Sequence, residues 1–268
     1  MRLGTAFIPI LLVAAIARPA AAEHPSLAQA RALYNAAKYA EAISAATVAR
    51  TDPASADAAA LVVGRSHLER HRVLADVVDL TAARTALSAV RPAALSPRDR
   101  LDLLIGLGQA LYLGDSFGAA AELFDTALSQ PVLLPDRDRL LLLDWWATSV
   151  DRDAQSLPPD RRMALFAQVT ERMEIEVRVD PGSAPANYWL AASARGAGDL
   201  ERAWDAAIAG WIRAPLRPES AKSLRADLDR LVSQALIFER ARMRPAREHA
   251  ETLSALRAEW ESIKNQWP

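Results

Sequence analysis

Along most of the chain, apolar residues recur three and four positions apart, as at Leu104, Leu107 and Leu111, and again at Ala120, Phe124 and Ala127. That spacing lays them on one face of a helix, whereas a half-buried strand alternates with period two. No segment sustains such alternation. Short breaks punctuate the pattern at "TDPAS", "LSPRD", "QPVLLPD", "SLPPD", "VDPGSAP" and "APLRPES". Each holds Pro, which cannot continue a helix, with Asp, Ser or Thr nearby to cap the next one. The pattern predicts an all-α chain.

The predicted helices are also alike. "LLIGLGQALYLGDSFGAAAELFDTAL" runs Leu104, Leu107, Gly108, Leu111, then Ala120, Phe124, Ala127. "YWLAASARGAGDLERAWDAAIAGWIRAP" follows with Leu190-Ala191, Gly198, Ala203, Ala207 and Pro215, and "LYNAAKYAEAISAATVARTDP" with Tyr39, Ala42, Ala46, Ala49 and Pro53. "ALVVGRSHL" opens a further copy at Val63-Gly64. These segments resemble the tetratricopeptide repeat, in which a Leu-Gly pair and later alanines let two helices of a hairpin approach closely while large residues fill the gaps. The small residues fall at Ala30, Gly64, Gly108, Ala147 and Ala191, separated by 34, 44, 39 and 44 residues. The family period is about 34, so only the first spacing matches, and the others predict lengthened second helices or loops. The copy holding Leu165, Phe166, Val169 and Met173 is the weakest.

The resemblance implies a right-handed α-α superhelical solenoid of helical hairpins over residues 23–215, with the concave face lined by the first helix of each hairpin. On that face it puts Arg65, Glu69, Gln109, Tyr112, Asp144, Thr148, Asp151, Arg152, Tyr188 and Arg195. A solvated helix face with charges paired three and four residues apart would carry the same residue types. The paired tryptophans of "LLLDWWATSVDRDAQ" fit into the same scheme. Aligned on the preceding copy, Trp146 takes the packing position of Leu107, and Trp145, about 100° round the helix, turns toward a neighbouring repeat.

Residues 216–268 read as a C-terminal helical cap. Leu224, Leu228, Leu231, Leu236 and Phe238 mark one amphipathic helix. Leu253, Leu256, Trp260, Ile263 and Trp267 then repeat at alternating spacings of three and four, a seam suited either to covering the last repeat or to a partner or homodimer contact.

Composition changes the picture at the N-terminus. "MRLGTAFIPILLVAAIARPAAAEHPS" has the positive Arg2, an apolar run from Ala6 to Ile16 and small residues Ala20-Ala21-Ala22 before a cut, the layout of a secretory signal at residues 1–22. The run is too short for a spanning helix of about 20 residues. The formal net charge of −1 becomes −3 when Arg2 and Arg18 leave with the signal. Nothing concentrates a basic face for nucleic acid. With no cysteine, there is no lipid attachment site, disulfide or thiol chemistry. These features predict a periplasmic or secreted protein.

Candidate chemistry is thin. "HLERH" sets His67 and His71 one turn apart, yet Glu69 is misplaced for a zinc protease and no third ligand is evident. "GLGQALYLGD" contains G-x-G inside a helix with no preceding strand, so it is no phosphate loop. The expectation is therefore a non-catalytic scaffold without metal or cofactor, binding a protein or peptide in the concave groove. A small-molecule or glycan binder is the first alternative and a carboxylate hydrolase the second.

Overall fold

The computed structural model describes residues 24–268, so the signal segment read at residues 1–22 lies outside it. Among the described residues there is no strand: α1 (Pro25–Asn35), α2 (Tyr39–Ala49), α3 (Ala56–Leu74), α4 (Val77–Ser88), α5 (Pro97–Tyr112), α6 (Phe117–Leu128), α7 (Asp136–Ala154), α8 (Pro159–Val179), α9 (Ala184–Gly196), α10 (Leu200–Arg213), α11 (Pro218–Leu231), α12 (Ile237–Arg242) and α13 (His249–Gln266) follow one another. Adjacent helices pack in pairs, α1 on α2 through α9 on α10. None of the described helices is long and apolar enough to cross a membrane.

The breaks end helices as their composition dictates, but capping is uneven. Ser96, Ser183 and Asp199 accept backbone N–H bonds from Asp99, Ala186 and Arg202, satisfying donors that the first helical turn leaves orphaned. In "QPVLLPD" and "SLPPD", Pro135 and Pro158 themselves occupy the cap position, where no side-chain acceptor exists. In "TDPAS", Ser55 Oγ donates instead to the Ala49 carbonyl, tying the end of α2 to the start of α3.

Within hairpins, small residues decide how closely helices approach. A Cβ on Gly64 of α3 would come within 2.6 Å of the Leu87 side chain on α4, and one on Gly108 of α5 within 2.6 Å of the Phe124 ring on α6. Leu87 and Phe124 are buried and fill the space that each glycine leaves. Ala30, Ala147 and Ala191 are likewise buried in α1, α7 and α9. The uneven spacing of these residues has separate origins. Between Gly64 and Gly108 the additional length lies in the end of α3 and in the connection Ala89–Ser96, and between Ala147 and Ala191 it lies largely in α8.

The hydrophobic core has three contiguous parts, over α1–α4, α3–α5 and α5–α13. The third is richest in aromatics. Trp145 meets Tyr112 of α5 at 4.9 Å and Phe124 of α6 at 5.9 Å, joining its hairpin to the one before. Trp146 turns toward α8, where the Arg172 guanidinium lies over its ring.

At the C-terminal end, α11, a π-helical turn (Val232–Leu236) and α12 form one continuous helix. α11 packs on α9 and α10, and α13 folds back onto α12. Trp260 of α13 is 1% exposed and its ring meets Trp204 and Trp211 of α10. Its Nε1 donates to Asp229 of α11, whose carboxylate also pairs with Lys264. Leu256 is buried too, and Leu253 and Ile263 pack against the same core, so these four seam residues are engaged inside the chain. Trp267 is half exposed, while its carbonyl accepts from Trp211 Nε1.

Candidate binding groove

Among the first helices of the hairpins, α3 packs on α1 and on α5, and α9 packs on α7 and on α11. A straight row of helices spaced 8–10 Å apart would put α1 and α7 about 25–30 Å from each other. Instead, a single cavity of about 670 Å³ takes side chains from α1, α2, α3, α5 and α7, including Tyr34, Tyr39, Arg65, Asp102 and Arg137. Arg72 of α3 likewise reaches the Trp145 ring of α7, 5.3 Å from its centroid. The row of first helices therefore bends around this space, and its inner face is a groove.

The α1–α7 half of the groove is built from arginine–aspartate pairs. Arg31 of α1 pairs with Asp99 of α5 at 3.0 Å, and Arg65 of α3 with Asp102 of α5 at 3.0 Å. Arg98 bridges Asp102 at 3.2 Å and Asp138 of α7 at 2.9 Å, and donates to the Leu133 carbonyl. These pairs fasten successive first helices to each other. The Arg65 guanidinium also lies over the Tyr34 ring, 4.8 Å from its centroid. Burial raises the Tyr34 phenol above its ordinary range, more than Arg65 lowers it.

Toward α12 the groove continues as two adjoining hollows of about 550 and 570 Å³, both lined by Tyr188 of α9. The first is mostly apolar: Leu140 and Leu141 of α7, Ala184 and Pro185 of α9, and Leu224 of α11 form its walls, with Arg137, Asp144 and Asp227 at the edges. Leu141 is 57% exposed. The second lies between α7, α8, α9 and α12 and includes Asp151, Arg162, Trp189, Arg195 and Glu239. Trp189 Nε1 donates to Asp144 Oδ1 at 2.8 Å, and the Trp189 ring meets Tyr188 edge-on at 5.3 Å. Burial raises the Tyr188 phenol, and the negative charges of Asp227, Asp151 and Asp144 raise it further against the lowering effect of Arg230. Burial also raises the Asp151 carboxyl, against the lowering effect of a hydrogen bond from Gln155 and of nearby Arg152 and Arg195.

The ten residues expected on a concave face are thus distributed unevenly. Arg65 and Glu69 line the charged cavity, and Asp144, Asp151, Tyr188 and Arg195 line the hollows beyond it. Tyr112 is packed edge-on against Phe117 and Trp145, inside the aromatic junction between hairpins. Gln109 and Thr148 are half-buried, Arg152 is exposed, and none of the three lines a described hollow. Arg195 is held by two bonds to Glu239 of α12, at 2.8 and 2.6 Å, which the repeat pattern gave no means of anticipating.

Several lining residues escaped the sequence reading. Tyr34, Arg31, Asp99 and Asp102 come together only because the helix row bends. Leu140 and Leu141 did leave a signal: "LLLL" puts leucines on more of the helix surface than one buried stripe can cover, and Leu142 and Leu143 are the two that are buried. His67 and His71 do not act as a pair, since His67 Nδ1 is 2.6 Å from Asp79 and His71 Nδ1 is 2.7 Å from the Asp76 carbonyl. Among the described residues, no three His, Cys, Asp or Glu side chains converge to hold a metal.

No family model, curated protein or solved structure matches this chain.

Proposed function

We propose that this chain is an exported, non-catalytic interaction scaffold of the bacterial cell envelope, a right-handed solenoid of tetratricopeptide-like hairpins that holds a protein or peptide segment in its groove. The observation that carries this reading is the continuous run of side chains from Tyr34 of α1 to Glu239 of α12 along the inner face of the first helices. Lateral ion pairs such as Arg98–Asp138 and Arg195–Glu239 support it, because they fix that face before a ligand arrives. A preorganised surface binds an extended segment with little ordering cost on the protein side. The Leu-Gly hairpin pattern and the signal-like N-terminus support the solenoid class and the export.

The test is site-specific photo-crosslinking in the envelope of the producing bacterium. A photoreactive residue at Glu69 or Leu141, in the groove, is expected to trap one discrete protein partner. The same residue at Val132, 96% exposed and outside the groove lining, is expected to trap none. Equal trapping from Val132, or none from the groove, overturns the reading. Export is checked by N-terminal sequencing of the mature protein, which is expected to begin at Glu23.

A further inference from the structure

The hollow between α7, α9 and α11 has an unusual balance. Its walls are apolar, and Leu141, 57% exposed, leaves part of that apolar surface open. Polar groups collect at its edges and are unequal in their partners. Asp144 makes no ion pair among the described residues and is held only as acceptor from Trp189 Nε1. Asp227 meets only Arg230, three residues on along its own helix and itself exposed. Asp151, one hollow further, likewise meets no cation at ion-pair distance and accepts only from Gln155. The charges of all three reach the phenol of Tyr188, whose hydroxyl has no hydrogen-bond partner among the described residues.

Among the cations nearby, Arg230 is exposed and pairs with Asp227, and its positive charge also reaches the Tyr188 phenol. Arg195 is occupied by Glu239. Arg137 lies at the other end of the hollow, seven residues from Asp144 along α7, which is about 10 Å of helix. Arg162 belongs to the far wall of the second hollow, on α8. The Tyr188 end therefore offers an aromatic face, the carboxylates of Asp144 and Asp151 without ion-pair partners among the described residues, that of Asp227 shared with Arg230, and an adjoining apolar wall. A cation gains from both the ring quadrupole and the carboxylates, and the leucines add apolar area beside it.

We infer that this hollow is the anchoring site of the groove, and that it takes a partner segment in which a lysine or arginine adjoins leucine-like side chains. The inference rests on the peptide-groove reading above. The basic side chain lies against Tyr188 between Asp144 and Asp227, and the apolar side chains cover Leu140, Leu141 and Leu224. A segment without the basic side chain loses the first contact, and one without the apolar side chains loses the second.

The experiment titrates the mature protein with three blocked tetrapeptides, acetyl-Lys-Leu-Leu-Lys-amide, acetyl-Gln-Leu-Leu-Gln-amide and acetyl-Glu-Leu-Leu-Glu-amide. Calorimetry gives the affinity. The basic peptide is expected to bind about tenfold more tightly than the neutral one, with the acidic one weakest, and the preference is expected to shrink with added salt. Asp144→Asn keeps an oxygen acceptor for Trp189 and is expected to reduce the basic-over-neutral preference about threefold to tenfold. Leu141→Gln, at an exposed position, is expected to weaken the basic and neutral peptides alike. Equal binding of all three peptides overturns the inference, as does a preference unmoved by Asp144→Asn. If that happens while Glu69 still crosslinks a partner, the groove reading stands and only the anchor is wrong. Loss of both removes the groove reading as well.

Discussion

Between α1 and α7, Arg31 meets Asp99, Arg65 meets Asp102, and Arg98 bridges Asp102 and Asp138; between α7 and α12, Asp144 and Asp151 have no ion-pair partner among the described residues and Leu141 faces water. Both regions belong to one groove and draw on the same few residue types. In the first, charge is spent on holding helices together, so a ligand there must compete with bonds already made. In the second, aromatic packing and the Arg195–Glu239 pair hold the helices, and the carboxylates of Asp144 and Asp151 are left over. Where cohesion comes from apolar contacts, polar groups are free for recognition.

The comparison is broken most severely by removing the aromatic packing. Trp260→Ala takes away a buried indole wedged on Trp204 and Trp211 and its bond to Asp229, and is expected to cost about 3–5 kcal/mol. Because hairpins contact mainly their neighbours, hydrogen exchange should rise in α10–α13 and stay low in α1–α4. Uniform loss of protection along the chain would show that the two regions do not stand apart.

Arg98→Ala tests the other side. It removes two ion pairs and a bond to the Leu133 carbonyl at a side chain that is partly exposed. After allowance for solvent screening, about 1–2 kcal/mol is expected in denaturant unfolding. Peptide binding in the hollow beyond α7 should be unaffected.

A pH effect should appear in the second region. Burial holds the folded Asp151 carboxyl above its ordinary value, so the folded state disfavours its charge and gains relative stability as pH falls through that raised value. A cationic ligand has the opposite preference, for the ionised form. Affinity for the basic peptide should therefore drop as pH falls through the raised Asp151 value, before ordinary carboxylates titrate. Asp151→Asn should abolish that step in a calorimetric pH series.

The smallest effect is expected on stability from Asp144→Asn. It leaves the Trp189 bond an acceptor and breaks no ion pair, so unfolding should change by less than about 0.5 kcal/mol. A larger loss would mean that the carboxylate is structural after all.

Much of the fold was legible because hairpin packing is local. Gly64 against Leu87 and Gly108 against Phe124 are contacts within 25 residues, written as small and large residues at helical spacing. The groove was legible only in part. The repeat resemblance assigned Asp144, Asp151 and Tyr188 to one face, and they line adjoining hollows, but it carried no information on curvature, which brings Tyr34 of α1 into the same cavity as Arg137 of α7. It also could not tell a free arginine from one matched by a distant helix. Arg195 looked like a ligand contact, and Glu239 answers it from 44 residues away.

The π-helical turn at Val232–Leu236 bears on how this chain can change in length. Such a turn holds one residue more than α-helix needs, and α11 and α12 run through it without a break. Deleting Ser233, an exposed residue within it, should convert the turn to plain α-helix while Leu228 stays against α10 and Glu239 opposite Arg195. A thermal melt close to that of the intact chain is the expected result. That result would mark the turn as a point where the final helical unit can lose a residue cheaply, whereas a deletion inside α5 or α9 would rotate every side chain downstream by about 100°.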